Sequence, residues 1–253
     1  MKLIEIHSFL ETKSKQFNRE SFVEHDPIQI PHQFGMKQDI EIAALLAATI
    51  AWGNRKSIIR NAKDMMQRMD YAPYDFVTQA NTADLKTLNG FVHRTFNDFD
   101  FKFFVQSLHQ IYQKHESLED LFLIHENENN PKFAIDRFRN EFLRNQSIRT
   151  SKHLSSPAKN SASKRLNMFL RWMVRNDNQG VDFGIWTKIS PSKLSLPLDV
   201  HTGNVARKLG ILERKQNDWR AVEEIDSVLR SFDAKDPVKY DFALFGLGAH
   251  ENF

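Results

Sequence analysis

Apolar residues in this chain recur three and four positions apart over most of its length, and the two-residue alternation of a half-buried strand is almost absent. In 39–51, Ile40, Ala43, Ala44, Ala47, Ile50 and Ala51 form one helical stripe, with Asp39 placed as its N-cap and Gly53 as its stop. A second helix is predicted from Arg55, with Ile58, Ile59, Ala62, Met65, Met66 and Met69 inward. The same spacing predicts helices near 4–17, 74–80, 83–89, 101–114, 117–124 and 131–145. The expected fold class is all-α. At 253 residues, 41% of them hydrophobic, the chain can bury a sizeable core and does not belong with disordered proteins.

Several function classes fall away at once. The chain has no cysteine, which excludes disulfides, thiolate chemistry and Cys-ligated zinc or iron–sulfur centres. It has no apolar run of 18 residues, and its first 18 residues scatter charge through the segment. No membrane partner and no secretory signal are therefore expected, and the expected location is cytoplasmic. A phosphate-cradling glycine loop, a dinucleotide fingerprint and a Gly-x-Ser-x-Gly elbow are all missing. His25-Asp26 lacks the further His and Asp, suitably spaced, that a metal-dependent phosphohydrolase needs. Neither metal nor cofactor is expected.

Charge is uneven. Lys plus Arg number 35 against 32 Asp plus Glu, a net +3, yet 132–220 holds 18 basic and 7 acidic residues and leaves the other 164 positions at −8. The densest part, 132–175, carries 11 basic and 2 acidic residues, with Arg137/Arg144 and Arg171/Arg175 spaced as on one helix face. This is the form of a polyanion footprint, and equally of a surface whose acidic partners lie elsewhere in the fold.

Two segments break the helical pattern. Residues 146–163 read as a mobile polar loop, and 176–198, with Asn176, Asp177, Gly180, Gly184, Pro191 and Pro197, as an irregular excursion. Between them SKRLNMFLRWMVR is a short helix. After them, Asp199 of PLDVHTGNVARKLGI is placed to cap a helix that Gly210 ends, and YDFALFGLGA closes the chain. The expectation is one fold with two lobes, one of about 100–210 and the other of 1–100 with parts of 211–253.

The order of these pieces carries a resemblance. A polar hairpin, a lysine opening a helix (KRLNMFLRW, with Lys164 and Asn167), LPLDVHTGNVARKLGIL and KYDFALFGLGA together resemble the helix-hairpin-helix DNA glycosylase/AP lyase superfamily. Asp199, His201, Val205, Arg207, Leu209 and Gly210 stand in register with its catalytic-aspartate segment. DIEIAALLAATIAWGNRKSI is similar to the early helix–turn–helix with which these enzymes probe the duplex. The 35-position gap from Lys164 to Asp199 is nearest the archaeal 8-oxoguanine glycosylase branch. The chain departs from the pattern at Asn160-Ser161-Ala162-Ser163, where relatives carry a glycine-rich hairpin, and it lacks the cysteines that hold a cluster in many of them.

The resemblance implies a two-lobed all-α glycosylase fold without iron–sulfur cluster, monomeric, acting on double-stranded DNA with a base lesion such as an oxidised purine. It implies Lys164 and Asp199 as catalytic residues. Lys159 is a second candidate amine and, with Ser161 and Ser163, a candidate hairpin contact to DNA. Trp52 and Asn54 are placed to fill or line the space of a flipped base, with Arg94 as a phosphate or pocket contact and Met168 and Trp172 near the base. His201 is expected to hydrogen-bond at its helix start.

The residues fit that chemistry. Cleaving an N-glycosidic bond builds positive charge on the sugar, which an ionised carboxylate at a helix N-terminus stabilises. A lysine attacks the anomeric carbon once it has lost its proton, and Arg165, Arg171 and Arg175 are expected to ease that loss. The bland readings are a helix cap at Asp199, a surface lysine at 164 and core packing at Met168 and Trp172. The competing functions are a non-catalytic nucleic-acid-binding protein of the same fold and an N-glycosidic hydrolase of free nucleosides or RNA.

Overall fold

The three- and four-residue spacing is realised as helix almost throughout. The computed structural model describes residues 2–144, 149–251 and 253. In chain order its helices are α1 (Leu3–Phe17), α2 (Glu20–Val23), α3 (Lys37–Thr49), α4 (Arg55–Arg68), α5 (Pro73–Gln79), α6 (Asp98–Tyr112), α7 (Lys132–Phe142), α8 (Lys164–Val174), α9 (Val200–Lys208), α10 (Trp219–Phe232) and α11 (Tyr240–His250). Among the described residues, sheet is limited to β1 (Val92–His93) against β2 (Phe96–Asn97), antiparallel, with His93 opposite Phe96. The class is all-α.

Some expected boundaries move for local reasons. α3 starts at Lys37, so Asp39 lies inside its first turn and is not the cap. Its carboxylate accepts the Tyr74 N–H at 2.8 Å instead. The segments near 83–89 and 117–124 are 3-10 turns. Of the expected polar loop, 146–148 lie outside the described residues, and 149–163 is built of two 3-10 turns that bury Thr150, His153, Leu154, Ser156 and Pro157. α10 is a helix the sequence reading does not include. It is capped by Asp218, which accepts the Ala221 N–H at 3.1 Å, and it buries Trp219, Val222, Ile225 and Leu229.

The chain divides into two compact units. One comprises Met1–Phe22, Ile124–Ile135 and Ser156–Phe253, the other Val23–Leu123 and Asp136–Ser155. This division differs from the expected lobes, because 211–253 belongs with 156–210 and 100–123 with 23–99. In the first unit α11 is buried at Phe242, Leu244 and Leu247 and packs on α1 and α9. Gly246 makes that approach possible: a Cβ there would sit 2.3 Å from the Phe17 ring. In the second unit the Phe-rich stretch forms a core cluster, with Phe91 edge-on to Phe96 and Phe101 and Phe96 edge-on to Phe104.

Candidate active site at the starts of α8 and α9

α8 begins at Lys164 and α9 immediately after Asp199, and the first unit brings these helix starts together. Lys164 Nζ lies 3.9 Å from Asp199 Oδ2, with side chains 26% and 22% exposed. The distance is an ionic contact without a hydrogen bond, open to water. Asp199 is held in place. Its Oδ1 accepts the Thr202 N–H at 3.0 Å, and its carbonyl accepts from Gly203 N and Asn217 Nδ2, both at 2.9 Å. One carboxylate oxygen therefore caps the helix while the other faces the amine.

The turn before Lys164 supplies with other residues the conformations that glycine usually provides. Asn160 (φ +62°) and Ser163 (φ +45°) are both left-handed. The Asn160 carbonyl accepts the Trp219 N–H at 3.2 Å, and its side-chain amide donates to Asp218 at 3.0 Å. Asn167 closes the turn from the α8 side by donating to the Ala162 carbonyl at 3.0 Å. Lys159 and Asn160 are exposed and Ser161 is half-buried. Ser163 is buried, so its side chain does not form the surface contact expected of it.

The largest correction concerns α8. Arg171 and Arg175 share the Lys164 stripe, seven and eleven residues on, but they are buried and paired. Arg171 donates to Asp182 at 3.2 Å and to Asp241, and Arg175 donates to Asp182 (3.1 Å), Asp177 (2.6 Å) and Asp236 (2.9 Å). Their partners come from the irregular segment and from 236–241, out of sight of the local sequence. They neither add net positive charge beside Lys164 nor contribute to an exposed basic face. Met168 and Trp172 are buried in the helix core, so the core reading holds for both.

Asp241 was not among the expected site residues. Burial pushes its carboxyl up to about 6, helped by Asp199 and opposed by Arg171 and Lys164. Its signal in sequence is a single acid inside the apolar run YDFALFGLGA. His201 is exposed, and with Nδ1 donating it reaches the Gly248 carbonyl at 3.2 Å, a helix-start hydrogen bond as expected.

The remaining expected residues lie in the second unit. Asn54 caps α4, accepting the Ser57 N–H at 3.1 Å. Trp52 packs on His153 (5.9 Å, stacked) and His93 (5.0 Å, edge-on). His93 accepts from Asn61 at 2.8 Å on Nδ1, which leaves Nε2–H for the Trp52 carbonyl at 3.3 Å, and burial lowers its pKa. Arg94, exposed and itself left-handed, lays its guanidinium over Gly53, where a Cβ would sit 2.4 Å from it. Beside them, buried Asp100 accepts from Thr150 at 2.8 Å and Arg149 at 3.3 Å, a cluster without a local sequence signal.

No curated protein and no solved structure matches the chain. A family model described as "Protein of unknown function (DUF2400)" matches residues 26–250. That span is most of the chain, and the chain belongs to the DUF2400 family.

Proposed function

We propose that the protein is a DNA base-excision glycosylase of the helix-hairpin-helix type, with a lysine nucleophile and an accompanying AP lyase step. The observation that carries the reading is the water-accessible Lys164–Asp199 pair, 3.9 Å apart at the starts of two helices. Asp199 takes the proton of the Lys164 ammonium, and the free amine attacks C1′ of a flipped nucleotide. The C–N bond to the base breaks as Asp199 passes that proton on to the leaving base, which returns Asp199 to its ionised form. Positive charge on the sugar is stabilised by the Asp199 carboxylate, and the lysine adduct opens to a Schiff base from which the 3′ phosphate is eliminated. The left-handed turn before Lys164 supports the reading, because it keeps a hairpin shape without glycine. Oxidised purine is the proposed lesion, on the Lys164–Asp199 spacing.

The burial of Arg171 and Arg175 favours a second reading, an N-glycosidase of free nucleosides with the same carboxylate, because it removes two cations from the footprint that a DNA or RNA phosphate backbone needs. One experiment decides. The protein is incubated with duplexes carrying 8-oxoguanine, uracil or an abasic site, and borohydride is added. A covalent adduct that disappears in Lys164→Ala and persists in Lys159→Ala is the expected result. Binding without cleavage on every lesion overturns it in favour of a non-catalytic binding protein, and release of base from free nucleosides alone favours the second reading.

A further inference from the structure

Three consecutive residues at the start of α10 hold both halves of the Lys164–Asp199 pair. Asn217 Nδ2 donates to the Asp199 carbonyl at 2.9 Å. Asp218 accepts the Asn160 side-chain amide at 3.0 Å and pairs with Ser161 in an isolated antiparallel bridge. The Trp219 N–H donates to the Asn160 carbonyl at 3.2 Å. Residue 217 therefore grips the start of α9, while 218 and 219 grip the turn that delivers Lys164 to the start of α8. Arg214 braces the second grip, its Nε–H donating to Asp218 at 2.6 Å.

The Asn217 amide has one possible orientation. Its Oδ1 accepts from Arg207 Nη2 at 2.6 Å, and a guanidinium only donates, so the nitrogen end must face the Asp199 carbonyl, which only accepts. Arg207 is itself anchored, its Nε–H donating to the Arg214 carbonyl at 2.8 Å. Gly203 gives the amide its room: a Cβ there would sit 2.7 Å from Asn217 Oδ1 and 2.8 Å from Arg207 Nη1. Asp199 is thus fixed at its carbonyl by Asn217 and the Gly203 N–H, and at Oδ1 by the Thr202 N–H. These contacts set the direction from which Oδ2 meets Lys164.

We propose that Asn217 is a positioning residue for Asp199: its amide, oriented by Arg207 and given space by Gly203, fixes the backbone from which the carboxylate meets Lys164. The inference rests on reading Asp199 as the catalytic carboxylate. An aspartate at 217 keeps an acceptor for Arg207 but has no donor for the Asp199 carbonyl, so the role requires the amide.

The test reads the pair directly and without DNA. The full chain is treated with a water-soluble carbodiimide, which joins a carboxylate to an amine in contact with it, and the cross-linked peptides are quantified by mass spectrometry. Lys13–Glu251, 2.7 Å apart in the same unit, is the internal reference. In Asn217→Ala and Asn217→Asp the Lys164–Asp199 cross-link is expected to fall about threefold or more, with Lys13–Glu251 unchanged. Gly203→Ala is expected to do the same by displacing the amide, although alanine suits a helix interior better than glycine. If the Asn217 variants do not fold, Gly203→Ala decides. A Lys164–Asp199 cross-link that stays at the wild-type level, is absent from the wild type, or falls in step with Lys13–Glu251 overturns the proposal. A cross-link that falls as expected in a protein that never forms the borohydride-trapped adduct rejects the glycosylase and leaves the role of Asn217 standing. Variants that match the wild type in both adduct and cross-link reject that role alone.

Discussion

Glu41 places its carboxyl group in α3, among Ile40, Ile42, Ala43 and Ala44, with no exposed surface. It accepts from Tyr112 Oη (2.8 Å), Ser117 Oγ (2.5 Å) and Leu118 N (3.0 Å), and this buried contact raises Tyr112 well above its usual range. Glu41→Ala leaves those donors without their acceptor, at about 1–3 kcal/mol for each group that finds no substitute. The expected loss is about 3–5 kcal/mol in urea unfolding at pH 7, and a loss under about 1 kcal/mol contradicts the structure. Asp241 gives a pH-dependent counterpart. Its folded value of about 6 lies above the ordinary 3.8, so its favourable contribution is present below pH 4 and is lost as pH rises through 6. Asp241→Asn removes that dependence. Between pH 4 and pH 7 the variant should gain on wild type by about 2 kcal/mol, and a constant difference across that range refutes the assignment. Both acids are visible in sequence as charges set beside apolar helical residues. Their partners, 70 and more positions away, are not.

At the scale of elements, the strained turn 160–163 offers the sharpest test. Ser163 is a buried non-glycine residue in the left-handed region, a conformation that costs about 1–2 kcal/mol. Ser163→Gly is therefore expected to raise stability by up to about 1 kcal/mol, after its extra unfolded-state entropy is subtracted. Ser163→Val is expected to lower it by more than 2 kcal/mol, because a β-branched residue tolerates that backbone least. Thermal unfolding of the two variants checks both, and a stabilising valine would falsify the assignment. The sequence shows the absence of glycine here but not the conformations, because Asn160 is held by Asp218 and Trp219 from the start of another helix. That helix, α10, shows the opposite balance. Trp219, Val222, Ile225 and Leu229 are spaced at three and four behind Asp218, so its cap and stripe are local signals in the sequence, although this helix is not among those expected from it. The Lys164 and Asp199 helix starts were legible too, since each is marked by a residue type and a local pattern. Their 3.9 Å separation is a tertiary fact.

For the molecule as a whole, composition misleads about where the charge is usable. The basic excess of 132–175 counts Arg171 and Arg175 equally with Lys152 and Lys159, although the first two are buried among carboxylates and the last two are exposed. The same limit applies to the two units. Helical periodicity identifies the elements but does not say that 211–253 joins 156–210, a pairing made where α11 packs on α9. The two kinds of cation make opposite predictions for binding to duplex DNA. Each exposed lysine that neutralises a phosphate releases counterions, so Lys159→Ala should lower the magnitude of the slope of log K against log salt by about 1, with little effect on stability. Arg175→Ala removes the common partner of Asp177, Asp182 and Asp236, and stranded buried acids typically cost about 3–5 kcal/mol. That variant should unfold at lower denaturant while any folded fraction keeps the wild-type salt slope. A slope that falls in Arg175→Ala and not in Lys159→Ala would place the polyanion on the buried network, against the geometry described for α8.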